Sequence, residues 1–363
     1  MGLFSIEAAV RSAFSWTLVK LFGGDERVEI PDWTSRPYRM LFIRDDGIGD
    51  LMVTMEMLRA IKEISPRITL DLLCSPSNAT FGRSLPFINE VIVHKRGPLL
   101  SALPTWRALR RRHYDVVIDG RVAIGNVNKQ TTCLLLASGA RWRIGLAGRR
   151  NDRVYSVPVY MDRVEHWVDA HVALLRPFGI EPDSRDWLPR LSLSSEDRSN
   201  AESRWAQLGR GRPRVLINLY SASADRQWPV EQFDEFTRAL RQRSPQAVIV
   251  IPTMPAGDAV SDRIAKSSGG AALPLSLSEV TAMTATADLV VSPDTAITVI
   301  ASAFRVPVLA LMRKNTQQWV PYKNTGSVAF SDDPRSLRRL PTERVLEELD
   351  RLLGTLQLAR QNS

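Results

Sequence analysis

Residues 39–65, RMLFIRDDGIGDLMVTMEMLRAIKEIS, decide how the chain folds. Met40, Leu41, Phe42 and Ile43 make a short apolar run with an aromatic, which reads as a buried strand rather than part of a helix. A polar loop carrying Gly47 and Gly49 follows. Asp50 then stands where an aspartate caps a helix, and Leu51, Met55, Leu58, Ile61 and Lys62 continue at helical spacing. The stretch predicts strand, glycine loop, helix. In open α/β sheets ligands bind at the carboxyl ends of the strands, so Asp45, Asp46 and Asp50 at this turn are candidate functional acids. On spacing alone, a helix cap at Asp50 and two solvated loop residues explain the same letters equally well.

The rest of the chain repeats the alternation. Residues 68–74, 91–93 and 115–119 read as strands, and residues 106–112 belong to a helix. Without any internal repeat, such alternation predicts a parallel sheet with helices on both faces. The proline- and acid-rich passage 179–189 is the expected boundary. It divides the chain into an amphipathic segment and linker (1–37), a first domain (38–185), a second domain (186–340) and a closing helix (341–363), with residues 32–37 as the linker.

Two turns stand out in the second half. The strand 215–219 runs into Tyr220-Ser221-Ala222-Ser223-Ala224-Asp225-Arg226-Gln227-Trp228-Pro229, with a helix from about residue 231. Small hydroxyl residues between strand and helix suit phosphate binding, and Arg226 is placed to clamp a phosphate oxygen. The plainer alternative has Trp228 and Pro229 stapling the helix start with Arg226 solvated. The second turn follows the strand 288–291: Ser292-Pro293-Asp294-Thr295, then a helix of small and apolar residues from 296 to 304. Asp294 is the expected cap there, with Thr295 and the N–H groups of Ala296 and Ile297 facing outward at the positive end of the helix dipole.

Composition narrows the field. The chain has 363 residues, enough for about two domains with cores of their own. Its 44% hydrophobic and 24% charged residues suit a folded globular protein. Two cysteines, Cys74 and Cys133, imply a reducing compartment and no disulfide framework. The four histidines do not form a metal pattern, since His166 and His171 are five apart. The net charge of +9, with Arg107, Arg110, Arg111 and Arg112 together, implies an anionic partner. No nucleic-acid-binding signature accompanies it. The segment 2–22 combines apolar residues and Trp16 with Glu7, Arg11 and Lys20, too charged to span a bilayer. It suits either a membrane surface or packing on the protein itself.

Arg44-x-x-x-Ile48-Gly49-Asp50, backed by Thr54 and Leu58-Arg59-Ala60-Ile61-Lys62, resembles the start of the family 9 glycosyltransferases, the group of the lipopolysaccharide heptosyltransferases. Arg226-Gln227-Trp228-Pro229 is similar to that family's Lys-x-Trp-Pro. Asp294-Thr295 is similar to the first two residues of its Asp-Thr-Gly-x-x-His, with Ala296 in place of Gly and Val299 in place of His. Met312-Arg313-Lys314-Asn315-Thr316 stands where Gly-Pro-Thr is common. The resemblance covers about residues 39–311. It implies an α/β protein of the GT-B fold, two Rossmann-like domains facing each other across a cleft that holds the active site. It also implies a terminal helix that packs back across the first domain.

The activity implied is an inverting, metal-independent transfer of a sugar, heptose among the candidates, from a nucleotide-diphosphate donor to a lipopolysaccharide-type or other bacterial surface glycan. Asp50 would be the general base. Ser221, Arg226, Asp294, Thr295, Ala296 and Ile297 would hold the diphosphate, with Gly47 and Gly49 shaping the loop. No metal and no separate cofactor is expected, the nucleotide sugar (ADP-heptose is one candidate) being a substrate. The implied partners are that donor, a glycolipid or oligosaccharide acceptor and the inner-membrane surface. The implied location is the cytoplasm, peripheral on the inner membrane's cytoplasmic face. Two other classes remain open on the residues: a catalytically silent sugar-nucleotide or glycan-binding protein, and a basic membrane-surface scaffold.

Overall fold

Tyr38–Arg44 (β1) is buried along nearly its whole length and pairs with Ile68–Cys74 (β2) on one side and Val116–Asp119 (β4) on the other. Val91–Val93 (β3), Trp142–Leu146 (β5) and Val157–Val159 (β6) complete a parallel sheet of order β3-β2-β1-β4-β5-β6. A second parallel sheet contains Arg214–Ile217 (β7), Val248–Thr253 (β8), Ala271–Pro274 (β9), Leu289–Pro293 (β10), Val308–Arg313 (β11) and Ser327–Ser331 (β12), in the order β12-β11-β10-β7-β8-β9. Counted from its own first strand, each sheet has the order 3-2-1-4-5-6 of the doubly wound nucleotide-binding fold. Each therefore has a switch point where the order reverses, beside β1 and β4 in one and beside β7 and β10 in the other.

This computed structural model describes residues 13, 16–21, 27–121, 127, 129–148, 153–254 and 256–361. The chain divides into two compact units, Met1–Trp187 and Leu188–Ser363, with one sheet in each. In the second, alternate strand residues serve opposite faces, as a period of two requires. Val215, Ile217, Ile249, Ile251, Val291 and Leu309 meet Phe233, Phe236 and Leu240 of helix Val230–Arg243. Leu216, Val250, Val290 and Val308 meet Trp205 and Met283 on the other face. Both faces are covered, so the strands are apolar throughout.

Two expectations need correction. The sequence implies one helix from residue 50 onward, but the chain breaks at Val53 and Thr54 into Ile48–Met52 and Met55–Ile64. Thr54 turns its hydroxyl to Leu51 O at 2.7 Å and restarts the helix. Residues 32–37, read as a linker, are anchored: Trp33 is buried against Tyr38, Trp142 and Phe178, and its Nε1 donates to Pro177 O at 2.8 Å. The terminal helix, Thr342–Gln361, seats Val345, Leu349 and Leu352 in the core of the second unit.

Trp228 does staple the helix start, as the plainer alternative has it, whereas the other half of that alternative is not met, Arg226 being paired with Asp294. It is fully buried, stands edge-on to Phe233 at 4.8 Å, and donates from Nε1 to Leu340 O at 2.8 Å. Trp228→Ala is expected to destabilise the second unit by about 3–5 kcal/mol, the usual cost of emptying so large a site. Chemical denaturation checks this, and a loss below about 1 kcal/mol would contradict it.

Candidate functional site

In the first unit the site grows from the register of β1 and β4. Ile43 lies opposite Asp119, so the residues that follow, Arg44 and Gly120, stand side by side at the switch point. Arg44 is buried, and its Nη1 donates to Gly120 O, its Nε to Asp50 O at 2.9 Å and its Nη2 to the Asp50 carboxylate at 3.3 Å. Gly120 has no room for a side chain, because a Cβ there would lie 2.2 Å from the Phe42 ring. His171 closes the back of the turn, Nε2 being 3.0 Å from the same Gly120 oxygen and Nδ1 2.6 Å from Trp167 O. Burial, and then the charge of Arg44, hold the His171 pKa well below the ordinary value.

Asp50 is not the cap of helix Ile48–Met52. Gly47 caps it in an extended conformation, and Asp50, three residues later, reaches back to accept from Gly47 N–H at 3.0 Å. A Cβ at position 47 would come to 3.0 Å from the Asp50 carboxylate, so the glycine keeps that approach open. Gly49 lies inside the turn, its carbonyl accepting from Val53 N–H at 3.1 Å. The Asp50 side chain is thus held from two sides yet remains 31% exposed, fixed in direction and open to a reactant.

The two neighbouring acids are neither solvated nor alike. Asp45 is buried between Arg96, 3.1 Å away, and Arg121. Burial works against its charge, but Arg96 and Arg121 outweigh it and hold the carboxyl below its ordinary value. Asp46 lies 3.1 Å from Arg44 Nε, yet its Oδ1 has no hydrogen bond. Burial raises its pKa to about 6; Arg44 opposes that, while Asp50 and Asp45 add to it. Arg96, Arg121 and Arg44 were not singled out as site residues from the sequence. A signal existed only for Arg44, an arginine ending an apolar strand beside three acids.

In the second unit the same construction recurs. Val291 lies opposite Ile217, and Asn218 N donates to Val291 O at 2.8 Å. Asn218, another residue the sequence reading missed, donates from Nδ2 to Ser292 Oγ at 3.0 Å and Thr295 Oγ1 at 3.2 Å, tying the two turns together. Ser221 N donates to Gln227 Oε1 at 3.1 Å, and Ser221 Oγ accepts from Ser223 N at 3.3 Å.

Thr295, not Asp294, caps helix Ala296–Ala303; its backbone is extended and its hydroxyl accepts from Ile297 N–H at 3.3 Å. That N–H, expected to face outward, is therefore taken. Ala296 N–H has no partner among the described residues. Asp294, freed from capping, receives Arg226, whose Nη1 donates to Asp294 O at 3.2 Å and lies 3.5 Å from its carboxylate. Arg313 pairs with Asp225. Asp294, Thr295, Ala296 and Arg226 thus gather at the β7 and β10 switch point, with Ser221 on the β7 turn and Arg226 oriented by Asp294. Among the described residues no group of His, Cys, Asp or Glu is arranged to hold a metal ion.

Comparison with known proteins places this geometry. The sequence pattern of glycosyltransferase family 9 (heptosyltransferase) matches residues 103–343. The lipopolysaccharide core heptosyltransferase OpsX of Haemophilus influenzae is 21% identical over 309 residues, covering 82% of this chain and 86% of that protein. A family 9 glycosyl transferase from Veillonella parvula superposes with a TM-score of 0.68 at 16% identity, over 90% of this chain and 99% of that one. The E. coli heptosyltransferase WaaC, solved with ADP-2-deoxy-2-fluoro heptose, superposes with a TM-score of 0.63 at 19% identity, over 86% and 99%. The fold is GT-B.

The Asp46 carboxyl is expected to titrate near pH 6 when followed by carboxyl-carbon NMR. Because the folded state holds this proton more tightly than the unfolded chain, the contribution to stability is full below about pH 4 and is lost as pH rises to 6. Asp46→Asn is expected to remove that decline. A midpoint at the ordinary value near 4 would contradict the arrangement.

Proposed function

Because the chain belongs to glycosyltransferase family 9, we propose that the sugar it transfers is a heptose carried on a nucleoside diphosphate, ADP-heptose being the candidate donor, and that the acceptor is a lipopolysaccharide-core precursor. The names of the relatives support donor and acceptor class. The protein works in the cytoplasm, peripheral on the cytoplasmic face of the inner membrane. No helix among the described residues is long and apolar enough to cross a membrane.

Asp50 takes the proton of the acceptor hydroxyl as that oxygen attacks the anomeric carbon. The bond from that carbon to the donor phosphate breaks on the opposite face, so the configuration inverts. The observation that carries this reading is the Asp50 carboxylate, held by Gly47 N–H and Arg44 with its outer edge open. The charge that develops on the departing diphosphate is met by Arg226, Ser221, Thr295 and Ala296 N–H. The dipole of the eight-residue helix Ala296–Ala303 adds about 0.3–2 kcal/mol of its own. These donors serve without a metal or separate cofactor.

A second reading, nucleotide binding without transfer, is favoured by the pairing of Arg226 and Arg313 with carboxylates and by Val299 in place of the family's histidine. Asp50→Asn separates the two. The amide keeps one of the two oxygens, which accept separately from Arg44 and from Gly47 N–H, and no longer takes a proton. Transfer to a heptose-accepting core precursor is expected to fall at least about 10²-fold with donor affinity unchanged. Full turnover in the variant would refute Asp50 as the base, and absence of turnover in the wild-type protein would favour the second reading.

A further inference from the structure

On the first unit, helices Leu103–Arg111 and Lys129–Ala137 pack together, and residues 16–21 run helically beside them. Val19 is buried in the same core as Leu109, Leu134 and Leu135. Of the amphipathic segment 2–22 only residues 13 and 16–21 are described, the rest lying outside the described residues; there Val19 packs on the protein, while Trp16 is 41% and Leu21 67% exposed. The Lys20 ammonium lies over the Trp16 ring, 4.1 Å from its centroid.

Beside this helix a cavity of about 440 Å³ opens, lined by Leu18, Trp106, Cys133 and Leu136 with Arg107 and Arg110. Its size and apolar walls are those of a small-molecule site. Trp106 Nε1 is buried at its wall and donates to nothing, a deficit that an acceptor in the cavity would relieve. The charge around it is equally one-sided. Arg36, Arg39, Arg96, Arg112 and Arg121 of the same unit all meet carboxylates. Arg107, Arg110 and Arg111 are exposed and have no acidic partner among the described residues. Exposed aromatic and aliphatic side chains, uncompensated cations and an apolar cavity with an orphan donor form one patch.

We propose that this patch docks on an anionic phospholipid bilayer. Trp16 and Leu21 enter the headgroup boundary, Lys20, Arg107, Arg110 and Arg111 meet lipid phosphates, and one acyl chain takes the cavity with Trp106 Nε1 donating to its ester oxygen. The proposal rests on the membrane placement in the reading above and names the face that makes it; the transfer reaction does not depend on it. Vesicle binding is measured without donor or acceptor, so either can fail alone.

The test is flotation of the full chain with phosphatidylglycerol vesicles and with phosphatidylcholine vesicles, at low and high salt. The expected result is binding to the anionic vesicles that weakens with salt. Arg107→Ala/Arg110→Ala is expected to lower partitioning about 25-fold, at roughly fivefold for each basic residue near such a surface. Trp16→Ser/Leu21→Ser, two exposed positions, is expected to lose binding while keeping the thermal midpoint. Equal binding to both lipids, unchanged binding in both variants, or no binding by the wild-type protein would overturn the proposal.

Discussion

The arrangement of the first unit depends on one buried guanidinium. Arg44 ends β1, and from there it joins the backbone of the β4 turn at Gly120 to the backbone and carboxylate of Asp50 and the charge of Asp46. A planar group with five donors suits such a junction, whereas a lysine would offer one point of charge. Removing one member of a buried pair leaves an uncompensated charge at a cost of roughly 3–5 kcal/mol, so these contacts hold one another in place. Asp50 owes its direction to this, while at Asp46, which shares the guanidinium with an Oδ1 that has no hydrogen bond, burial raises the pKa against the opposing charge of Arg44.

The second unit solves the same problem with a neutral side chain. Asn218 follows the last β7 residue paired with β10 as Arg44 follows the last β1 residue paired with β4, and it joins its turn to that of β10 through Ser292 and Thr295. The difference suits what each site would hold. A junction made by an amide leaves Arg226 and Ala296 N–H to face an anion. A junction made by a guanidinium lets a carboxylate sit at the surface without a neighbouring anion drawn to the same spot.

Much of this was legible in the sequence. Strands buried on both faces are written as continuous apolar runs, so β1, β2, β4 and β10 stand out, and the alternation with helices gives a parallel sheet. The strands not foreseen, β5, β6, β9 and β12, are short or carry polar and proline residues near the sheet edges. The three candidate turns stood out because glycine, acid or hydroxyl residues crowd between strand and helix. The caps were misassigned by one residue at Asp294 and by three at Asp50, since either residue can cap and only the backbone angles decide. Pairings such as Arg44 with Gly120, 76 residues apart, or Arg226 with Asp294, 68 apart, are set by strand order and register, which no local pattern encodes.

The account centres on a nucleotide-sugar site at the β7 and β10 turns, and calorimetric titration with ADP, GDP, UDP and CDP in the absence of added metal tests it most directly. It predicts that ADP binds selectively to the wild-type protein and that Arg226→Ala loses at least about tenfold in affinity, one charge-assisted contact to phosphate being worth about 1.5–3 kcal/mol. Failure of all four nucleotides to bind, or binding untouched by the loss of Arg226, would contradict it.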